Sequence, residues 1–193
     1  MEQTTTTADF RTIADRFRRL AADFEAKVAA VAPDRWEAPS PCEGWTARDV
    51  VRHVVDIQGI FLGLVGRQLG DIPSVDDDPL AAWRAARDAM QANLDDPERA
   101  SAQFDGHFGR TTLAQAVDRF ICFDLVLHGW DLARAAGLDD RIDPEEVRRV
   151  MQDALGFGDA ARSPRVFGPA LDPPPGADEQ TKLLAFTGRR AWD

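Results

Sequence analysis

The sequence predicts an all-α protein, a four-helix bundle with short additional helices and an extended tail at its C-terminal end. Three observations lead there. Apolar residues recur at three- and four-residue steps in long stretches. Segments rich in proline, glycine and polar turn formers separate those stretches. One stretch, Asp118 to Gly137 (DRFICFDLVLHGWDLARAAG), is apolar on nearly every side around its Phe120–Leu127 run, as an inner helix is.

The first helix is expected from about Ala8 to Ala32, where Phe10, Ile13, Phe17, Leu20, Phe24, Val28 and Val31 form one stripe before Pro33 stops it. The loop PDRWEAPSPCEGW follows, with Trp36 and Trp45 as anchors into the core. Thr46 and Asp49 read as an N-cap and a first-turn carboxylate. From there Val50, Val51, Val54, Ile57, Ile60, Phe61 and Leu64 carry a second helix to about Gly66. A polar connection spans residues 67–77. Asp78-Pro79 then opens a third helix with Leu80, Trp83, Met90 and Leu94 on a narrower stripe, ending near Asp96-Pro97. A glycine-containing segment, FDGHFG, leads to Thr111 as the cap of the fourth helix, and Gly137 ends it. Asp143-Pro144 starts a shorter fifth helix. After Gly156 the chain is proline-rich, with a last short helix near Asp178–Gly188. There is no internal repeat. One domain over 1–193 is expected, its core bundle at about 8–137 and an extension at about 138–193.

Composition narrows the function. The formal charge is −10 and the pI near 4.8, which argues against a nucleic-acid partner, since such binders carry a basic face. No run approaches the roughly 18 apolar residues of a membrane span, and MEQTTTTADF lacks the basic and apolar regions of a signal peptide. Cys42 and Cys122 are too few for a disulfide framework, so a reducing cytoplasm is the expected setting. Arginine outnumbers lysine 21 to 2 and tyrosine is absent, which removes phenol acids and most lysine nucleophiles.

The fourth helix carries the candidate chemistry. Asp124 and His128 are four residues apart and therefore stack on one helical face. A carboxylate in so apolar a setting must be paired, bind a metal or neutralise itself. His53 lies about 10 Å from the start of the second helix, and His128 about 12 Å before the end of the fourth. The three side chains converge if these helices run antiparallel, which requires one crossover in the bundle. The eleven residues of the 67–77 connection reach roughly 36 Å, enough to supply it. Two imidazoles and one carboxylate with a fourth position open suit zinc, and the lack of thiolate ligands keeps nickel, iron or manganese in play. A buried, metal-free Asp124–His128 pair is the competing interpretation. Asp131 and Asp56 stand one turn from His128 and His53, able to orient those rings or to remain solvated surface carboxylates. Asp131 is also the candidate proton carrier. His107 sits about 25 Å along the axis from Asp124 and is left out. Cys122 is a small core residue by position, and Cys42 is better read as packing than as a reactive thiol. Arg84, Arg87 and Arg134 are candidates for holding an anionic substrate. Dimerisation through a bundle face is expected, with no face singled out.

Two motifs together resemble a known family. PSPCEGWTARDVVRHVVD at 39–56 is similar to a signature of the mycothiol-dependent maleylpyruvate isomerase N-terminal domain. FDLVLHGWDLARAAG at 123–137 and RVFGPALDPPPGADEQTKLLAFTGR at 165–189 resemble segments of a related group of metal-binding proteins, so the likeness covers nearly the whole chain. The resemblance implies a DinB-like four-helix bundle of up-down-down-up topology. By position it implies a divalent metal on His53, Asp124 and His128. It also implies mycothiol as thiol cosubstrate, in a transferase or isomerase acting on a small electrophile. A non-catalytic metal- or ligand-binding protein of the same fold is the alternative. The sequence departs from the isomerases in having Asp where they carry Glu, at 124, and in showing nothing like their separate C-terminal domain. Both departures point away from maleylpyruvate itself as the substrate.

Overall fold

Capping boxes and glycine stops set the lengths of the helices in the computed structural model, which describes residues 7–106, 109–158, 162 and 167–192. Helix α1 runs Thr7–Ala30, α2 Ala47–Leu64 and α3 Pro79–Leu94. Helix α4 is built of three contiguous segments: Leu113–Ala116, a π-helical turn Val117–Ile121, and Cys122–Ala136. Helix α5 is Pro144–Gly156 and α6 is Glu179–Phe186. Thr46 and Asp49 cap α2 reciprocally, and Thr112 and Gln115 do the same for α4, so two orphan amides at each start are satisfied. The cap of α4 is thus Thr112, not Thr111. Gly137, at φ +73°, ends that helix in the left-handed region that glycine tolerates.

The segment expected as a plain connection before α4 forms a two-stranded antiparallel hairpin, β1 Gln103–Gly106 and β2 Gly109–Thr112. Its strands are four residues each and mostly polar, too short to give a periodic signal. His107 lies outside the described residues.

Contacts along the helices give the topology. Arg18 of α1 reaches Asp95 beyond the end of α3, whereas Glu25 reaches Arg84 near its start, so these two are antiparallel. Arg48 binds the carbonyls of Val75 and Asp76, and Arg67 binds Asn93, so α2 and α3 run the same way. Arg16 meets Asp118, while Gly129 faces Phe24 and Lys27, which makes α1 and α4 parallel. Each of α1 and α2 packs on both α3 and α4. The order is up-down-down-up, and residues 65–78 form the crossover that runs the length of the bundle.

The apolar stripe of α1 is buried throughout, from Phe10 to Val31, as its spacing requires. Trp83, Met90 and Leu94 of α3 are buried as well. On α2 the buried arc is narrower than the apolar residues suggest. Ile60 and Leu64 are 58% and 47% exposed, while Gln58 takes an inner position and donates its amide to the Val54 carbonyl at 3.4 Å. Nearly every residue of the Cys122–Ala136 segment is buried, so α4 is the inner helix. Among the described residues no helix is long and apolar enough to cross a membrane.

Helix α5 is fastened by charge. Buried Arg16 donates to Glu146 through Nε at 3.3 and 3.2 Å and through Nη2 at 2.6 Å, and Arg19 adds a bond at 2.8 Å. Burial pushes the Glu146 carboxyl up, but the bonds and charges of Arg16 and Arg19 outweigh it and hold the group below its ordinary value. The unfolded chain therefore takes up this proton first as the pH falls. The stabilisation is full above about pH 4.3 and is lost below it, with a slope of at most about 1.4 kcal/mol per pH unit. Urea unfolding between pH 6 and pH 3 checks this. Glu146→Gln is expected to flatten the fall in that window, and an unchanged slope would refute the assignment.

Candidate metal centre

The residues of the site come from three parts of the chain, each fixed by its own local structure. The loop before α2 folds as a tight turn in which Trp45 N–H donates to Cys42 C=O at 3.0 Å, with Gly44 at φ +76°. Ser40 N–H returns to Trp45 C=O at 2.8 Å. This turn sets the Cys42 thiol and the Trp45 ring beside the start of α2, about two turns before His53. Helix α4 supplies Asp124, His128 and Asp131. The tail after α6 supplies Arg189.

His53, Asp124 and His128 meet, with one ligand atom from each lying within 4.8 Å of the others. His53 Nε2 is 3.4 Å from Asp124 Oδ2, longer than an ordinary ring N–H···O bond. The imidazoles of His53 and His128 lie edge to face with centroids 4.7 Å apart. Trp45 covers one flank of both, at 5.1 Å from His53 and, nearly parallel, 5.8 Å from His128. The side chains of His53 and Asp124 are 33% and 26% exposed, so the cluster opens to solvent on that side. These donors fit a divalent ion. Around a tetrahedral ion with bonds of about 2.1 Å, neighbouring ligand atoms stand about 3.4 Å apart, which is the separation of His53 Nε2 and Asp124 Oδ2. Although Asp is one methylene shorter than Glu, the Asp124 carboxylate still reaches its partner.

Behind His128 lies a fully buried carboxylate. Asp131 Oδ2 accepts from His128 Nδ1 at 2.9 Å and from the Cys42 thiol at 3.3 Å. Arg189 closes on the same group as a fork, Nε donating to Oδ1 at 2.9 Å and Nη2 to Oδ2 at 2.7 Å. Burial would raise the Asp131 carboxyl, but the charge of Arg189 and the bonds from His128 and Arg189 hold it well below the usual carboxylate range. Because Oδ2 can only accept, Nδ1 of His128 is the protonated nitrogen and Nε2 keeps its lone pair for the cluster. Cys42, His128 and Asp131 also lie close enough to suggest a second ion site. The guanidinium of Arg189 already fills the cationic position there. Burial, and then the Asp131 charge, push the Cys42 thiol up to about 12, so in the metal-free protein it stays protonated.

The remaining expected residues are placed elsewhere. Asp56 is exposed, with no hydrogen bond to His53 among the described residues. Arg84 and Arg87 pair with Glu25 on the α1–α3 side, and Arg134 pairs with Asp140 while lying over the Trp130 ring. Cys122 is a fully buried core residue. Sequence reasoning missed Arg189, although the LLAFTGR end of the tail was in view, because no spacing rule links residue 189 to residue 131. It also treated Trp45 only as a core anchor.

Comparison with known proteins finds a family and relatives for the chain. The family model of the mycothiol maleylpyruvate isomerase N-terminal domain matches residues 17–133. Two proteins of Mycobacterium tuberculosis are similar: uncharacterized protein MT0763 of strain CDC 1551 / Oshkosh and uncharacterized protein Rv0738 of strain ATCC 25618 / H37Rv. Each is 30% identical over 178 residues, covering 86% of this chain and 91% of the relative. No solved structure matches the chain at a significant level. With more than half of its length matched and both chains covered almost end to end, the protein belongs to the mycothiol maleylpyruvate isomerase N-terminal domain family.

Proposed function

We propose that this protein is a divalent-metal-dependent enzyme that uses a low-molecular-weight thiol, mycothiol, in a transfer or isomerisation on a small electrophilic substrate. The observation that carries the reading is the 3.4 Å separation of His53 Nε2 and Asp124 Oδ2 within a two-imidazole, one-carboxylate cluster that is open on one side. Membership of the family supports the thiol.

His53, Asp124 and His128 would hold the ion. Zinc suits the donor set best, and nickel, iron or manganese are compatible with it. When bound, such an ion supplies an open position that stabilises a coordinated thiol as thiolate at neutral pH. The chain's own residues do the remaining work. Asp131 keeps His128 in the tautomer that points its lone pair at the cluster. We assign Asp131 this orienting role in place of proton transfer, because it is wholly buried and both its oxygens already accept hydrogen bonds. Trp45 shields one flank of both imidazoles from water, and the exposed edges of His53 and Asp124 leave the entry for thiol and substrate.

One observation favours the non-catalytic alternative, a metal- or ligand-binding protein of the same fold. Arg84, Arg87 and Arg134, the candidates for holding a substrate carboxylate, are committed to ion pairs away from the cluster. The two readings separate in one experiment. Protein purified without an affinity tag is analysed for metal, then mixed with zinc, mycothiol and model electrophiles while conjugate formation is followed. His128→Ala is expected to lower the rate by about 100-fold or more. Equal rates in both proteins would remove the catalytic claim, and bound metal without turnover would favour the alternative.

A further inference from the structure

We infer that the C-terminal segment is a working part of the metal centre: Arg189, brought in from outside the bundle, fixes the aim and tautomer of His128 through Asp131 and thereby sets the affinity of the cluster for a divalent ion. Its affinity arm rests on the metal reading above; the link from Arg189 to the imidazole does not.

The route begins in the tail's own sequence. Asp178 caps α6 by accepting from Thr181 N–H at 2.7 Å, and Leu183 and Leu184, both fully buried, dock that helix on the core. The helix then stops in a Schellman turn. Gly188 N–H donates to Ala185 C=O at 3.0 Å, and Arg189 N–H donates to Leu184 C=O at 2.7 Å. Gly188 sits at φ +80°, and a Cβ there would stand 3.2 Å from the backbone of Gly168. Both the turn and the close approach therefore demand glycine. This stop reverses the chain and turns the Arg189 side chain inward. Its Nη1 is steadied by the Thr187 carbonyl at 3.3 Å, and the residue is 9% exposed.

What arrives is a planar fork on a planar acceptor. Two nearly parallel bonds from Nε and Nη2 fix the plane of the Asp131 carboxylate, which a single point charge would leave free to turn. An aspartate's terminal torsion is otherwise broad. With the plane fixed, Oδ2 faces His128 Nδ1 at 2.9 Å, and the ring can neither flip nor exchange its proton between nitrogens without breaking that bond. The matched family region ends at residue 133, so this support comes from a part of the chain that the family model does not cover.

The test uses the full chain with Arg189→Gln and Arg189→Lys. The metal-free proteins, labelled with ¹⁵N at histidine, report the His128 ring nitrogens by NMR. Zinc affinity comes from competition with a chromophoric chelator, and near-UV circular dichroism reports native packing. Wild type is expected to show one Nδ1–H tautomer at His128. In Arg189→Gln that signal should become a mixture, with zinc binding weakened about 10- to 100-fold. Arg189→Lys, which keeps the charge without the fork, should fall between the two. Natively packed variants that both bind zinc within about twofold of wild type and keep the single tautomer would overturn the inference. If Arg189→Gln does not fold, Arg189→Lys decides on the same two readouts. If wild type takes up no zinc, the metal reading fails by itself. The ring signal of the metal-free variants then decides the link, an unchanged tautomer overturning it.

Discussion

Zinc supplied at about 1,000 times its dissociation constant is expected to raise the melting temperature by about 8–16 °C. A ligand that binds only the folded state stabilises it by about 4 kcal/mol at that excess, and a domain of this size gains about 2–4 °C per kcal/mol. The effect is large because the three donors come from α2 and α4, which touch only in the folded protein, so the unfolded chain offers no comparable site. Differential scanning fluorimetry of chelator-treated protein, with and without zinc, measures it. His128→Ala should erase the shift; its metal-free melt falls as well, because the buried ring donates to Asp131, so each protein is compared with and without zinc. A full zinc-dependent shift in that variant would place the ion elsewhere and refute the assignment of His53, Asp124 and His128.

Asp131→Asn is expected to cost about 3–5 kcal/mol in urea unfolding of the metal-free protein. The substitution keeps the shape of the side chain but leaves the Arg189 guanidinium buried without a counter-charge, which is the expensive way to break such a pair. Removing both charges is much cheaper than removing one. The double variant Asp131→Asn, Arg189→Met should therefore recover most of the loss. If the single variant is as stable as wild type, the buried pair is not the fastening that the geometry indicates. If the double variant is no better than the single, the loss comes from some cause other than the stranded charge.

Much of the fold was legible because its signals are local. The stripe of α1, the Thr46–Asp49 cap, Asp78-Pro79 before α3 and Gly137 after α4 are each determined by residues within a few positions of one another. The sequence permitted the crossover without demanding it: His53 and His128 lie at matching depths only if α2 and α4 run in opposite directions. What was hidden depends on encounters between distant residues. Ile60 and Leu64 belong to an apolar pattern wider than the arc that α1, α3 and α4 leave to be buried, so periodicity finds the helix but not which of its apolar residues stay exposed. The hairpin at 103–112 is too short and polar to show alternation. Arg189 was invisible for a different reason: the carboxylate it aims at lies 58 residues earlier. The stacking of Trp45 on two imidazoles likewise appears only once three separate segments are assembled.

The π-helical turn at Val117–Ile121 has a consequence of its own. Cys122 N–H reaches back five residues to the Val117 carbonyl, so the helix carries one residue more than its height requires. Within that turn Asp118 is moored to Arg16 and Arg149; downstream, Asp131 is moored to Arg189. Dropping a single residue there would barely change the length of the rod. Nor would it turn what lies beyond, because the wide turn would close into an ordinary α-helical one and leave the acid and the imidazole aimed as before.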